Sequence, residues 1–124
     1  MRDWTAGELD TIGAAEELGI APLRPDGSRR PYTTIWVVRV GDGLYVRSWR
    51  GRDGAWFRAA LRRPEGGIRA AGIERDVTFA EPDHADHDAI DRAYRGKYAR
   101  YASTYVDPMI SPGARAATLR LVPR

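Results

Sequence analysis

The sequence contains no cysteine, a single lysine and no long apolar run among its 124 residues. Without thiols the chain cannot form a disulfide, hold a cysteine-ligated metal or use a thiolate nucleophile, and its composition suits a reducing compartment. No stretch approaches the ~20 apolar residues that a membrane span needs, and the first residues lack the apolar centre of a signal peptide. These absences predict a cytoplasmic protein without a membrane segment.

The positive charge comes almost entirely from arginine, and it is unevenly distributed. Residues 47–63 carry six Arg and one Asp, whereas residues 81–91 carry five acids and no Lys or Arg. A general preference for Arg over Lys explains the bare count, but the clustering favours a site for a carboxylate or phosphate, which arginine binds through two parallel hydrogen bonds. The pI near 9.6 is compatible with nucleic-acid binding, and the acidic segment argues against it.

The spacing of apolar residues predicts helices and antiparallel strands. Thr5 and Glu8 have the spacing of a capping box, and Gly41–Gly43 separates two strand-like runs. Five or six antiparallel strands with one apolar face close most economically as a barrel, which leaves no exposed edge. We therefore predict one α+β domain over residues 1–124. In chain order, the predicted elements are a helix at 5–18, a hairpin at 32–49, a short helix from about 55, a second hairpin turning at 72–74, a long helix at 83–101 and a last strand at 116–122.

The end of the first hairpin has the composition of an anion site. A helix that starts near Ala55 leaves its first backbone amides unpaired, and Gly51 and Gly54 allow a ligand to approach the backbone closely. Arg47 and Arg50 add positive charge nearby. Arginines and glycines are also common in solvated turns, so the two alternatives are an anion site and an ordinary turn.

Three segments together carry a resemblance to a known family: DGSRRPYTTIWVVRVGDGLYVRSWRGRDGAWFRAAL, GIERDVTF and IDRAYRGKYARY. They resemble an uncharacterised bacterial family of the flavin-binding split-barrel superfamily, which also contains pyridoxamine-phosphate oxidases and deazaflavin-dependent nitroreductases. The resemblance spans nearly the whole chain. It implies an antiparallel split β-barrel of five to six strands with an N-terminal helix, a short helix after the first hairpin and a long helix before the last strand.

The resemblance also implies a function. It points to a homodimeric flavin- or deazaflavin-dependent oxidoreductase that binds FMN or a deazaflavin coenzyme through its phosphate at residues 47–58. The alternative is a non-catalytic module of the same fold that binds a small ligand or is a structural dimer. The cofactor-binding positions that match are Thr33, Thr34, Arg47, Ser48, Arg50, Gly51, Trp56 and Arg58.

A stripe of aromatic residues marks the predicted long helix. Its members recur at three- and four-residue spacing, which is typical of a packing face. The functional alternative is that Tyr94, Lys97 and Tyr98 line a substrate cavity, where a phenol could donate a proton. The stripe consists of Ile90, Tyr94, Tyr98, Tyr101 and Tyr105.

The start of the same helix contains both histidines of the chain. His84 and His87 are accompanied by Asp88 and Asp91, which are residue types found in metal sites. Acids are favoured at a helix N-terminus by the helix dipole alone, so no metal site is predicted. The four-residue spacing also predicts ion pairs from Asp88 to Arg92 and from Asp91 to Arg95.

Overall fold

One antiparallel sheet of seven strands forms the framework of the computed structural model, which describes residues 3–124. Across the sheet the strand order is β2-β1-β5-β6-β7-β4-β3. The strands are β1 Leu18–Pro22, β2 Thr33–Ile35, β3 Val38–Val40, β4 Gly43–Arg47, β5 Glu65–Ala70, β6 Ile73–Ala80 and β7 Thr118–Pro123. The helices are α1 Ala6–Ala14, α2 Ala55–Arg62, α3 His87–Lys97, α4 Ser103–Val106 and α5 Pro112–Arg115.

The two edge strands of this sheet follow each other directly in the chain. Only Trp36 and Val37 separate β2, which pairs with β1, from β3, which pairs with β4. The sheet therefore curls until its two edges lie next to each other at this bend, and it has seven strands where five to six were predicted. The predicted antiparallel split barrel is confirmed, as are its N-terminal helix, its short helix after the first hairpin and its long helix before the last strand.

Two apolar clusters hold the helices on the sheet. The larger cluster joins α1 and α2 to the strands, and the side chain of Trp4 donates from Nε1 to the carbonyl of Leu121 at 2.9 Å. The smaller cluster joins α3 to β3 and β4 through Val38, Tyr45, Ile90, Tyr94, Tyr98, Val106 and Met109. Fully burying a large apolar side chain contributes about 1.5–3 kcal/mol, so this second cluster fixes α3 against the outside of the bent strand.

The first helix is shorter than predicted. Its capping box is present, because the Thr5 hydroxyl accepts from the Glu8 amide at 3.1 Å and Glu8 accepts from the Thr5 amide. However, the helix ends at Ala14, and residues 18–22 form strand β1 between β2 and β5. The helical period had placed Leu18 on the helix, but pairing on both sides of β1 outweighs that local preference.

The predicted long helix and last strand also differ from the structure. A 3-10 turn at His84–Asp86 precedes α3, which ends at Lys97, while α4 and α5 were not predicted. Because α5 occupies residues 112–115, β7 begins at Thr118 instead of residue 116. Among residues 3–124, no helix is long and apolar enough to cross a membrane.

Candidate functional site

Arg47, the last residue of β4, is buried and fully engaged by this chain. Its Nε donates to Thr118 Oγ1 at 2.9 Å, while Nη1 donates to Asp91 Oδ1 at 2.5 Å and to the Met109 carbonyl at 2.9 Å. A buried guanidinium left without such partners would be strongly destabilising. Arg47 therefore ties together the end of β4, helix α3, the loop before α5 and the start of β7.

The remaining terminal nitrogen of this guanidinium, Nη2, faces His87, and the guanidinium group lies near the ring of Tyr94. Arg47 Nη2 lies 3.3 Å from His87 Nδ1 and donates to the His87 carbonyl at 3.4 Å. Burial, followed by the positive charges of Arg47 and Arg115, lowers the pKa of His87. The guanidinium also lies 5.5 Å from the centre of the Tyr94 ring. We call Arg47, His87, Asp91, Tyr94 and Thr118 the Arg47 cluster.

The other end of α3 is fastened to the bend between β2 and β3. The Tyr98 hydroxyl accepts from the Val37 amide at 3.2 Å and donates to the Glu16 carbonyl at 2.7 Å, and Lys97 Nζ donates to the Val37 carbonyl at 2.6 Å. The Trp36 ring stacks on Tyr98 with centroids 3.9 Å apart. Burial raises the pKa of Tyr98 and lowers the pKa of Lys97 to about 8.

Of the three side chains predicted to meet substrate, only Lys97 is partly exposed. Tyr94 and Tyr98 are completely buried, and burial raises the pKa of the Tyr94 hydroxyl. That hydroxyl has no hydrogen-bond partner within the described chain. Both tyrosines belong to the packed cluster under α3, together with Ile90.

A tight turn connects β4 to α2. Ser48 is buried and its amide donates to the Ala117 carbonyl at 3.1 Å. Gly51 has a φ of +69°, a left-handed conformation that favours glycine, and starts a 3-10 turn over Gly51–Asp53. A Cβ at Gly54 would lie 2.3 Å from Ser48 Oγ, so a larger residue there would force the Ser48 hydroxyl to move.

Helix α2 begins with unpaired backbone amides. Its N-cap is Gly54, which has no side chain to accept from them. Trp56 is half-buried against the larger apolar cluster, and its ring lies edge-on to Phe57 at 6.0 Å. The first turn of α2 is therefore anchored by aromatic packing and has no side-chain cap, an arrangement that favours an anion as the cap.

The six arginines of residues 47–63 divide into two groups. Besides Arg47, two are paired: Arg52 with Glu81 at 2.9 Å and Arg63 with Glu65 at 3.3 Å. Arg50 lies 5.5 Å from the ring centre of Trp49, which is 65% exposed. Three are exposed and have no carboxylate within ion-pair distance among residues 3–124: Arg50, Arg58 and Arg62.

Two surface grooves can be described, and residues 47–58 line neither. Thr33 and Thr34 are exposed on β2, and Thr34 lines a groove of about 440 Å³ whose other residues come from β1, β5, the start of β6 and the neighbouring turns. The second groove, of about 610 Å³, is lined by residues that include Trp4, Arg39 and Leu121. The structure thus joins Arg47 to Tyr94 and Lys97 to Tyr98, but it does not place Thr34 in one groove with the turn.

Sequence reasoning missed the partners of Arg47. Thr118, Asp91 and the Met109 carbonyl lie 71, 44 and 62 residues away along the chain. The predicted helical partners also differ, because Asp88 pairs with Arg115 at 2.9 Å, and Asp91 pairs with Arg47 at 2.5 Å and with Arg115 at 3.8 Å. The sequence did contain one indication of these partners, because Arg47 ends an otherwise apolar strand, and a buried arginine requires buried acceptors.

The histidine segment shows no metal-binding arrangement in the described part of the chain. Among residues 3–124, no group of three or more His, Asp or Glu side chains is close enough to hold an ion. The rings of His84 and His87 meet edge-on at 5.9 Å, and His87 is already in contact with Arg47.

The sequence matches one known protein family over most of its length. The sequence profile of DUF2255, described as an uncharacterised protein conserved in bacteria, matches residues 8–121. The chain belongs to the DUF2255 family. No curated protein matches this DUF2255 sequence.

Solved structures show where this DUF2255 fold recurs. An F420 reductase is 16% identical with a TM-score of 0.60, and the alignment covers 98% of this chain and 94% of the reductase. An FAD-binding protein from Mesorhizobium loti is 18% identical with a TM-score of 0.61, covering 99% and 92%. HutZ, a haem storage protein from Vibrio cholerae, is 14% identical with a TM-score of 0.63, covering 100% and 92%. At these identities the likeness establishes the fold, which is shared with small-ligand-binding proteins.

Proposed function

We propose that this DUF2255 protein binds FMN or a deazaflavin coenzyme by its phosphate at the turn between β4 and α2, and that it is an oxidoreductase. The observation that carries the proposal is the uncapped N-terminus of α2 beside two arginines, Arg50 and Arg58, that have no carboxylate partner among residues 3–124. Backbone amides and guanidinium groups are the donors that hold phosphate in proteins. The F420 reductase and FAD-binding neighbours support this class of ligand.

The cofactor-binding residues have different roles in this proposal. Arg50 and Arg58 neutralise the phosphate, and the left-handed Gly51 lets the backbone approach it. Arg47 and Ser48 are buried and position the turn without touching the ligand, while Trp56 anchors α2. Thr33 and Thr34 offer exposed hydroxyls on β2 to the rest of the coenzyme. When bound, the coenzyme supplies the hydride chemistry, and the protein supplies binding and orientation.

The three predicted substrate residues also have different roles: one is proposed to contact a substrate and two support the fold. The Lys97 amine is half-buried, and a pKa of about 8 leaves a larger neutral fraction at neutral pH than an ordinary lysine has. It is the polar group we propose to face a substrate. Tyr94 and Tyr98 hold α3 in place from inside the chain.

We also propose that two copies assemble. Trp49 and Tyr105 are 65% and 66% exposed, which is unusual for large aromatic side chains and is typical of surfaces that become covered. A second copy over Trp49 would exclude water from the turn that follows it. Light scattering coupled to size-exclusion chromatography is expected to give twice the mass of the 13.8 kDa chain.

The coenzyme proposal is tested by ligand-dependent stabilisation. We expect FMN or a deazaflavin to raise the melting temperature of the purified protein, because a ligand that binds only the folded state stabilises it. The double variant Arg50→Ala/Arg58→Ala should bind the same ligand at least about tenfold more weakly, since two charge-assisted contacts are lost. Arg62→Ala is the matched control, an exposed unpaired arginine in the last turn of the same helix, and should bind normally. The proposal is wrong if neither coenzyme changes the melting temperature, or if the double variant retains full affinity.

The second candidate is a binding module without catalysis. It is favoured by the burial of Tyr94 and Tyr98, which leaves only Lys97 of the predicted acid-base groups partly exposed, and by the likeness to a haem storage protein. Absorbance spectra with added coenzyme or haem separate the ligands. Reduction of the bound coenzyme by NADH or NADPH, followed by reoxidation with an added acceptor, separates an oxidoreductase from a module that only binds.

A further inference from the structure

The groove beside β2 holds charged groups that the proposed coenzyme site does not use. It lies between β1, β2 and the turn that joins β5 to β6, and its volume of about 440 Å³ falls in the range of small-ligand sites. Its lining residues are Glu17, Leu18, Gly19, Tyr32, Thr34, Arg69, Ala70, Ala71, Gly72 and Glu74.

Arg69 lies in this groove on a platform formed by Tyr32. Its guanidinium carbon is 4.2 Å from the centre of the Tyr32 ring, close enough for a cation–π contact. Gly19 leaves room for this contact, because a Cβ there would lie 3.1 Å from Arg69 Cγ and Tyr32 Cδ1, and both side chains would have to shift slightly. The Tyr32 hydroxyl in turn accepts from Arg29 Nη1 at 3.0 Å, which holds the ring in position.

The charges in the groove are close together but unpaired. Glu74 lies directly opposite Arg69 in the pairing of β5 with β6, a position where opposite charges ordinarily interact. Nevertheless, neither Arg69 nor Glu74 nor Glu17 forms an ion pair with any residue of the described chain. One cation and two carboxylates therefore remain free for a ligand.

The rim of the groove is strained. Ala71 has a φ of +49°, the only positive φ of a non-glycine residue within residues 3–124, and it is followed by Gly72 at +85°. A left-handed alanine costs about 1–2 kcal/mol, which Asn or Gly would largely avoid. Positive φ at both central residues is typical of a two-residue type I′ hairpin turn, and this turn sets the pairing that brings Arg69 opposite Glu74.

We propose that this groove binds a small zwitterion of the α-amino acid type. The carboxylate would be held by the Arg69 guanidinium, and the ammonium group by Glu17 and Glu74. A simple anion would be repelled by the two carboxylates, and a simple amine would leave Arg69 unmatched. A zwitterion satisfies both charges.

The test starts from the free amino acids. Thermal-shift measurements with the twenty L-amino acids at millimolar concentration should identify at least one binder, and calorimetry then gives its affinity. The decarboxylated amine and the N-acetylated acid of that binder should each bind about tenfold more weakly or worse, because each lacks one of the two charges. Arg69→Gln should cause a similar loss, and so should Tyr32→Leu, which removes the platform under the guanidinium.

Arg95→Gln is the control variant, since Arg95 is exposed on α3 and does not line the groove. It should bind the amino acid normally. The proposal is overturned if no amino acid binds, if the amine alone binds as tightly as the zwitterion, or if Arg69→Gln retains full affinity. Binding of FMN or a deazaflavin is measured in the same Arg69→Gln protein, so failure here is distinguishable from failure of the coenzyme site.

Discussion

The Arg47 cluster and the turn that follows it contain the same residue type in opposite situations. Arg47 is fully buried and has three side-chain or backbone acceptors within 2.9 Å. Arg50, three residues later, is exposed beside Trp49 and has no carboxylate partner among residues 3–124. A guanidinium whose donors are all used can stabilise a fold but cannot bind a ligand. A guanidinium with free donors can bind a ligand but contributes little to stability.

This difference predicts that substitutions in the two regions affect different measurements. In the cluster they should change the free energy of unfolding. In the turn they should change ligand affinity and leave stability nearly unaltered, because exposed substitutions away from special features usually fall within about 0.5 kcal/mol. The experiments below separate the two regions, beginning with the largest expected effect on stability.

Arg47→Ala is expected to be the most destabilising single substitution. It leaves the Asp91 carboxylate buried without its nearest cation and the Thr118 hydroxyl without its donor. Breaking a buried pair in this way typically costs about 3–5 kcal/mol. Urea unfolding followed by tryptophan fluorescence measures the loss. A loss below about 1 kcal/mol would show that Arg47 is not the structural arginine described here.

The double variant Arg47→Met/Asp91→Leu sharpens this result. After Arg47→Ala, the Asp91 carboxylate keeps only the more distant Arg115, whose Nε lies 3.8 Å from Oδ2. If much of the cost is this poorly compensated carboxylate, removing both charges should recover a substantial part of the stability. Arg47→Met alone is the reference variant. Equal stabilities of the single and double variants would assign the effect to lost packing.

Tyr94 and Tyr98 provide a matched pair within the packed region. Tyr98→Phe leaves the buried Val37 amide and the Glu16 carbonyl without the hydroxyl that both contact, and should cost about 1–3 kcal/mol. Tyr94→Phe removes a hydroxyl that has no partner in the described chain, so stability should stay constant or rise. Equilibrium unfolding of both variants gives the comparison. The reverse order would contradict the contacts assigned to Tyr98.

The same contrast explains which features could be predicted from the sequence. The first hairpin, the turn at Gly51 and the start of α2 follow from local signals: alternating apolar residues, and glycines that mark the turns between elements. The capping box at Thr5 is local as well, and it is present. Each of these features depends on residues within a few positions of one another.

The parts that could not be predicted depend on distant residues. Strand β1 exists because β2 and β5 pair with it on both sides, although the helical spacing of Leu18 suggested otherwise. Arg47 was predicted to bind an anion, because its acceptors on α3, on the loop before α5 and on β7 cannot be recognised from the neighbouring residues in the sequence. The sequence gives the number and position of the charged residues, but only the folded structure shows which of them are paired with acceptors from distant parts of the chain.

The protonation of His87 gives a smaller effect with a defined sign. The pKa of His87 is lowered in the fold by burial and by Arg47 and Arg115, with His84 acting in the same direction and Asp91 opposing it. As pH falls through the unfolded value of about 6.5, the unfolded chain takes up the proton first, so stability decreases until the folded histidine also protonates. His87→Asn should flatten this dependence between pH 7.5 and pH 5. His84→Asn, which changes the other histidine of the chain, should leave most of it.

The smallest effect on stability is expected in the turn itself. Arg50→Ala/Arg58→Ala removes two exposed side chains that have no carboxylate partners in the described chain, so its unfolding free energy should stay within about 0.5 kcal/mol per substitution of the unmodified protein. If a coenzyme phosphate binds there, the same variant should lose the ligand-induced rise in melting temperature, while Arg62→Ala retains it. A large loss of stability without ligand would mean that these arginines, like Arg47, support the fold, and the contrast between the two regions would then fail.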